Sequence, residues 1–279
     1  MGIFVIIDCC KVIYIKEYFS FALLFLFTFI KSIHNMRSIG IIPARFSSSR
    51  FPGKPLADIN GKIMIQRVYE QAKKATALHH LVVATDDQRI FDAVEAFGGV
   101  VVMTSTEHQS GTDRCLEAYQ KIAEEFEIVV NIQGDEPFIS PNQIDLILSC
   151  FHRENTEIAT LVKLIESEKE LWNVNKPKVL MDDDDFAIYF SRQCIPYLRE
   201  VDKDDWLQHF NFYKHIGMYA YRAETLNEIC QLKPSRLERA EGLEQLRWIE
   251  SGYKIKTAIT EEEALSVDVP EDLEQFRAL

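Results

Sequence analysis

Residues 38–56 read SIGIIPARFSSSRFPGKPL, a short apolar run that breaks into a stiff polar loop. Within 43–56 stand three prolines, three serines and the cations Arg45, Arg50 and Lys54, with no acid among them. The whole chain carries 43 acids against 31 lysines and arginines, a net charge of −12, so this loop runs against its background. SIGII (38–42) predicts a buried strand, and in α/β sheets ligands bind beyond the carboxyl ends of the strands. The loop falls at such an end.

Outward from the loop the same alternation continues. IMIQRVYEQAKKA (63–75) has helical spacing, LVVAT (81–85) and VVVM (100–103) read as strands, TDRCLEAYQKIAEEF (112–126) as a helix and EIVVNI (127–132) as a further strand. This order predicts an α/β fold with a mostly parallel central sheet and helices on both faces. TDD (85–87) and QGDEP (133–137) then converge on the same edge as the loop. The second half is less regular. IATLVKLI (158–165), FAIYFS (186–191), GMYAYR (217–222) and YKIKTAI (253–259) predict strands, with DDDD (182–185) as a solvated hairpin tip. Helices are expected at 223–231 and 239–251, and a last one with Pro270 in its first turn. No repeat or linker divides 36–279, which reads as a single domain.

With 279 residues, 47% hydrophobic and 27% charged, the composition is that of a soluble globular protein with a sizeable core. Its acidic balance argues against a nucleic-acid surface, which needs cations for phosphates. The cysteines show no CxxC and no metal-ligand spacing, and Cys115, Cys150, Cys194 and Cys230 read as reduced thiols of a cytoplasmic protein. Residues 1–35 stand apart. YFSFALLFLFTFI (18–30) is apolar but shorter than the roughly 18 to 20 residues of a spanning helix. The leader before it mixes acids with lysines, and no small-residue cleavage pattern follows. Met36, directly before the first strand, is therefore expected to be the working start, with a membrane-associated segment at 18–30 as the alternative.

Guanidinium and ammonium groups at a strand end suit a polyphosphate, arginine as a planar fork and lysine as a point charge. The spacing is not GxxxxGK[ST], and GxGxxG is absent, so neither usual phosphate-loop pattern applies. On composition alone, a phosphate cradle and an exposed connection with incidental cations stand level.

The loop does not stand alone, however. HQSGTDR (108–114), VNIQGDEP (130–137), YFSR and IP (189–192 and 195–196), KHIGMYAYR (214–222), LERAEGLEQLR (237–247) and VDVPEDLEQ (267–275) follow it in order. Together these stretches resemble the sugar-activating cytidylyltransferases of the nucleotidyltransferase superfamily. The match is closest to the branch that activates the eight-carbon acid sugar 3-deoxy-manno-octulosonate (Kdo), and it spans essentially all of 38–279.

The resemblance implies a Rossmann-like nucleotide-diphospho-sugar transferase fold with a smaller β-rich sugar-side and dimerisation region. It implies a cytoplasmic homodimer that transfers CMP from CTP to Kdo and releases pyrophosphate, for lipopolysaccharide biosynthesis. The nucleophile is then the substrate's own hydroxyl, and the protein supplies positioning and charge. Arg45, Arg50 and Lys54 are implied to hold the triphosphate, in a CTP site with Pro43, Ala44, Ser49, Gln109, Ser110, Gly111, Thr112 and Asp135. Ser110 to Thr112 open a helix whose N–H groups suit a ligand edge, a simple cap being the plainer reading. Asp135 and Asp268 are implied to hold Mg2+, an ion that takes one or two carboxylates and completes its shell with water and phosphate oxygens.

On the sugar side the resemblance points to Gln133, Arg192 as the fork for the carboxylate, His215, Gly217 and Tyr219. It adds Glu241 and Gln245, four apart on one expected helix and so on one face. Glu136 is read as structural, and Glu238 and Glu244 as positions of a plain amphipathic helix. Two departures from the family pattern are mild: SSSR replaces a threonine before the arginine, and Val269 replaces a threonine after Asp268. The alternatives are another acid sugar (8-amino-Kdo or sialic acid) or a non-catalytic, membrane-tethered sugar-nucleotide-binding protein.

Overall fold

The central strand, β1 (Ser38–Ala44), lies between β2 (His80–Thr85), which carries β3 (Val101–Met103) on its far side, and β4 (Ile128–Asn131). These four are parallel, as the alternation required. Ile39, Ile41 and Ile42 are fully buried, because both faces of a parallel sheet are covered. β5 (Ile158–Leu164), β6 (Lys178–Met181), β7 (Ala187–Ser191), β8 (Tyr213–Arg222) and β9 (Ile255–Ile259) complete a nine-stranded sheet. Its order is β9-β5-β8-β4-β1-β2-β3, with β6 paired to β8 and β7 to β6. β8 runs antiparallel to β4 and β5, while β9 is parallel to β5. The computed structural model describes residues 36–47, 50–153, 155–263 and 265–277. The segment 1–35, with its apolar run, lies outside them, and no described helix is long and apolar enough to cross a membrane.

Helices cover both faces. α1 (Met64–Ala72) packs on β1 and β2, whereas α2 (Gln88–Ala96) follows β2 and packs on β3. α3 (Gly111–Lys121) lies across β1 to β4 and against α5 (Ala223–Ile229), and α4 (Pro141–Ser149) joins α1 over β5 and β9. Two further helices, α6 (Arg236–Glu241) and α7 (Gln245–Glu250), pack on each other, with α7 also against β7, and α8 (Asp272–Arg277) is the last described helix.

Five points of the expected element map are corrected. The helix expected over 112–126 stops at Lys121, because the following residues carry Phe126 into the core, where its carbonyl accepts from Tyr119 Oη at 3.0 Å. The single helix expected over 239–251 is two. Gly242 takes a left-handed conformation (φ 62°) that a side chain disfavours, and its N–H closes on Glu238 O at 2.7 Å. β6 was not foreseen, and β8 starts at Tyr213 rather than 217, since a register shift between Ile216 and Tyr219 interrupts its alternation. Pro270 precedes the last helix instead of opening it.

The acid run is a hairpin tip, as read, with Asp182 N donating to Phe186 O at 2.9 Å. One of its carboxylates, Asp185, also pairs with the buried Lys256 at 2.9 Å. Cys115, Cys150, Cys194 and Cys230 are free thiols.

Candidate active site

The loop leaves β1 at the sheet's carboxyl edge and closes on itself where Gly53 N donates to Phe46 O at 2.9 Å. The Arg89 guanidinium lies over the Phe46 ring. The QGDEP turn comes directly alongside. A Cβ on Gly134 would stand 2.7 Å from the Pro43 carbonyl oxygen, so only glycine lets the two segments approach this closely. Between them lies a cavity of about 280 Å³ lined by Pro43, Ala44, Arg45, Arg50, Lys54, Ser110, Gly111 and Asp135. Eight residues expected at the nucleotide are thus together in one wall. Ser110 caps α3, its Oγ accepting from Asp113 N at 3.1 Å, so that helix presents its positive end here.

Two members of the expected set point elsewhere. Gln109 turns back on its own loop, donating to Glu107 O at 3.0 Å. Thr112 points to the other side of the helix start, where its hydroxyl donates to Glu244 at 2.9 Å. Ser49 lies outside the described residues.

A second cavity, of about 320 Å³, is lined by Gln133, Asp135, Glu136, His215, Gly217 and Asp268, together with Lys176, Lys214 and Glu263. Gln133 and Asp135 line both cavities and stand where they meet. Lys54 Nζ lies 2.8 Å from Asp135 Oδ2 and also donates to Val267 O at 2.8 Å, while Arg50 lies 3.0 Å from Asp268 Oδ1. Val267 N donates to Asp135 O at 2.9 Å, so the two carboxylate-bearing segments touch although they come from distant parts of the chain.

Among the described residues no group of three or more His, Cys, Asp or Glu could hold a metal. The donor set here is two carboxylates, each already facing a cation and both opening on a cavity wide enough for phosphate oxygens and water. That fits magnesium, which seldom uses an all-protein cage. Glu136 adds no third charge. It is buried, its Oε2 has no hydrogen-bond partner, and burial, helped by the Asp135 charge, pushes its pKa up to about 8.

The sugar-side residues divide into two groups. Gln133, His215 and Gly217 border the cavity: Gln133 Nε2 donates to Gly217 O at 2.7 Å, and His215 Nε2 meets Thr160 Oγ1 at 2.9 Å. Burial pulls the His215 pKa down to about 3, so the ring is neutral. Arg192, Tyr219, Glu241 and Gln245 do not line that cavity. The Arg192 guanidinium donates to the carbonyls of Glu241 (2.6 Å), Val174 (3.1 Å) and Gly242 (3.3 Å), which makes it a clasp across two segments. Glu241 accepts from Ser191 Oγ at 2.7 Å and from Arg192 N at 3.0 Å. With Gly242 between α6 and α7, Glu241 ends one helix and Gln245 begins the next, so the expected shared helical face does not exist. Gln245 is buried with Nε2 unpartnered, and Tyr219 lies edge-on to Trp248.

Sequence reasoning missed Arg114. Its side chain is 1% exposed, pairs with Asp86 at 2.7 Å and borders the nucleotide cavity. Both residues stood in quoted motifs, HQSGTDR and TDD, but only folding brings them together. Lys214 was missed too: it is nearly buried and pairs with Glu170 (2.5 Å) and Glu263 (2.7 Å). Glu244, read as a plain helix position, is held against α3, and burial raises its pKa despite the Thr112 hydrogen bond.

A sheet of this order with a cationic loop and paired carboxylates at its edge defines a nucleotidyltransferase. The cytidylyltransferase family profile matches residues 39–255, and the chain belongs to that family. It is therefore an enzyme of the nucleotidyltransferase class. Within the family it falls with the 3-deoxy-manno-octulosonate cytidylyltransferases. The protein of that name from Parabacteroides distasonis is 61% identical over 247 residues, covering 87% of this chain and 98% of the relative. Its counterpart from Cytophaga hutchinsonii is 57% identical, covering 86% and 96%. Among solved structures, CMP:2-keto-3-deoxy-manno-octonic acid synthetase complexed with CTP superposes with a TM-score of 0.81 at 42% identity, over 87% of this chain and 97% of that one.

Proposed function

We propose that the chain transfers CMP from CTP to the anomeric hydroxyl of Kdo, releasing pyrophosphate, and so supplies the activated sugar for lipopolysaccharide assembly. The observation that carries this reading is the shared wall. Asp135 borders both a cation-lined cavity suited to a triphosphate and a polar cavity suited to a polyhydroxylated acid. In this reading Arg45, Arg50 and Lys54 bind and orient the triphosphate, and the α3 terminus meets another ligand edge. His215 and Gln133 offer hydrogen bonds to sugar hydroxyls, while Arg192 and Glu241 clasp chain segments to one another. Asp135 and Asp268 hold magnesium, which, when bound, neutralises charge developing on phosphoryl oxygens.

The proposal includes a single enzymatic domain over 36–279, a cytoplasmic setting and a homodimer. Supporting a partner surface, Trp172, Tyr197 and Phe210 are exposed and cluster about Trp206 and Phe212.

Pyrophosphate release, measured with CTP and Kdo, 8-amino-Kdo or sialic acid side by side, tests the reading. Release is expected with Kdo, dependent on magnesium. Preference for another acid sugar would replace Kdo, and no release with any of them would overturn the activity.

A further inference from the structure

Two of the three cations expected to hold the triphosphate, Lys54 and Arg50, are already paired with the carboxylates expected to hold the metal. Lys54 Nζ sits 2.8 Å from Asp135 Oδ2 and 2.8 Å from the carbonyl of Val267, the residue before Asp268. The ammonium thus stands between the two carboxylate-bearing segments. Its side chain is 16% exposed and that of Asp135 30%, so the pair is partly shielded from solvent and from salt. Arg50 makes a more exposed pair with Asp268 at 3.0 Å.

From this geometry we propose that Lys54, helped by Arg50, is a placeholder cation. In the nucleotide-free protein it occupies the position on Asp135 that a divalent ion needs, so the site takes metal and nucleotide together and rejects metal alone. Rebinding is an exchange of partners. The triphosphate draws Lys54 and Arg50 away from the carboxylates, and a divalent ion replaces them there, so no charge is left unpaired at any stage. Without nucleotide, an entering ion must either displace the ammonium or lie against a like charge. This inference rests on the metal reading of Asp135 and Asp268 given above.

The exchange predicts opposite signs for one substitution. Nucleotide-free wild type and Lys54→Met are titrated with Mn2+ alone, followed by electron paramagnetic resonance. Methionine keeps the length and packing of the stem and removes the charge. Lys54→Met is expected to bind Mn2+ roughly tenfold more tightly than wild type, the scale of a partly shielded charge pair, while its affinity for CTP falls. Arg50→Met should shift Mn2+ affinity the same way by less, because that pair is more exposed. Loss of structure cannot mimic a gain in metal affinity, and adding Asp135→Asn to Lys54→Met should abolish it.

Mn2+ affinity in Lys54→Met equal to or below that of wild type would overturn the exchange. If Mn2+ with CTP still bound in an Asp135-dependent way, the metal site would stand and only the placeholder role would fall. If Mn2+ bound neither alone nor with CTP, both would fall.

Discussion

The two walls of the cleft are built on opposite plans. On the nucleotide side, Arg50 and Lys54 stand on the loop, partly exposed, and pair with Asp268 and Asp135 through interactions that ligands can replace; Arg114, by contrast, is buried. On the sugar side, the corresponding groups are held by fixed partners within the fold: Arg192 by three backbone carbonyls, Gln133 by Gly217 O, and the buried Lys214 by two glutamate side chains. On the proposed reading, a wall that admits a triphosphate and an ion keeps its charges exchangeable. One that must recognise the pattern of hydroxyls on a sugar holds its donors still, since an unpartnered group in a low-dielectric wall is costly. Substitutions in the first wall should therefore change chemistry without stability, and in the second both together.

Asp268→Asn gives the largest effect and bears on the first half of that contrast. Turnover should fall on the order of 100-fold or more. The melting temperature of the nucleotide-free protein should hardly move, because the lost pair with Arg50 is a surface one. Facing carboxylates would predict a gain in stability on neutralisation, but each here already has its cation. Turnover measured across a magnesium series, with thermal denaturation beside it, decides. A marked loss of stability would mean that the nucleotide wall is no more exchangeable than the other.

Arg192→Lys probes the second half. A lysine keeps the charge but cannot reach three carbonyls in one plane, and stability should drop by about 1 to 2 kcal/mol. The Michaelis constant for Kdo should rise while that for CTP holds. Unchanged melting with a selective loss of Kdo affinity would make Arg192 a direct sugar ligand and blur the distinction between the walls.

The smallest effect is a slope against pH. Burial holds the His215 pKa at about 3 in the folded protein, against about 6.5 when unfolded. Above pH of about 6.5 both states are neutral there, and as pH falls from 6.5 towards 3 the unfolded state takes the proton first, so stability declines. His215→Asn should flatten this limb, reducing the difference in melting temperature between pH 7.5 and pH 5. An unchanged limb would show that the imidazole is not buried neutral and that this part of the sugar wall is open to water.

Much of this was legible in the chain. Short continuous apolar runs such as SIGII and LVVAT, bounded by turn residues and alternating with helical segments, read as two-sided buried strands, and Gly, Pro and charge clusters at their ends mark the edge where ligands bind. That information is local, so the parallel core and its ligand-binding edge could be read directly, while the eight residues of the nucleotide wall came from the family resemblance of the motifs at that edge. The rest was set by folding. The pairing of Lys54 with Asp135 spans 81 residues, and that of Arg114 with Asp86 spans 28, and no periodicity reports such contacts. Gly242, where the helix breaks, reads in the sequence as an ordinary position in an amphipathic helix, although a glycine free to take the left-handed conformation is itself a helix-ending cue. Whether Arg192 offers its fork to a ligand or to three carbonyls, and whether Glu136 carries a charge, depends on what surrounds each group in space. Residue types and their order determine the sheet and the chemistry at its edge; partners and burial, which only tertiary packing decides, determine which charges remain exchangeable.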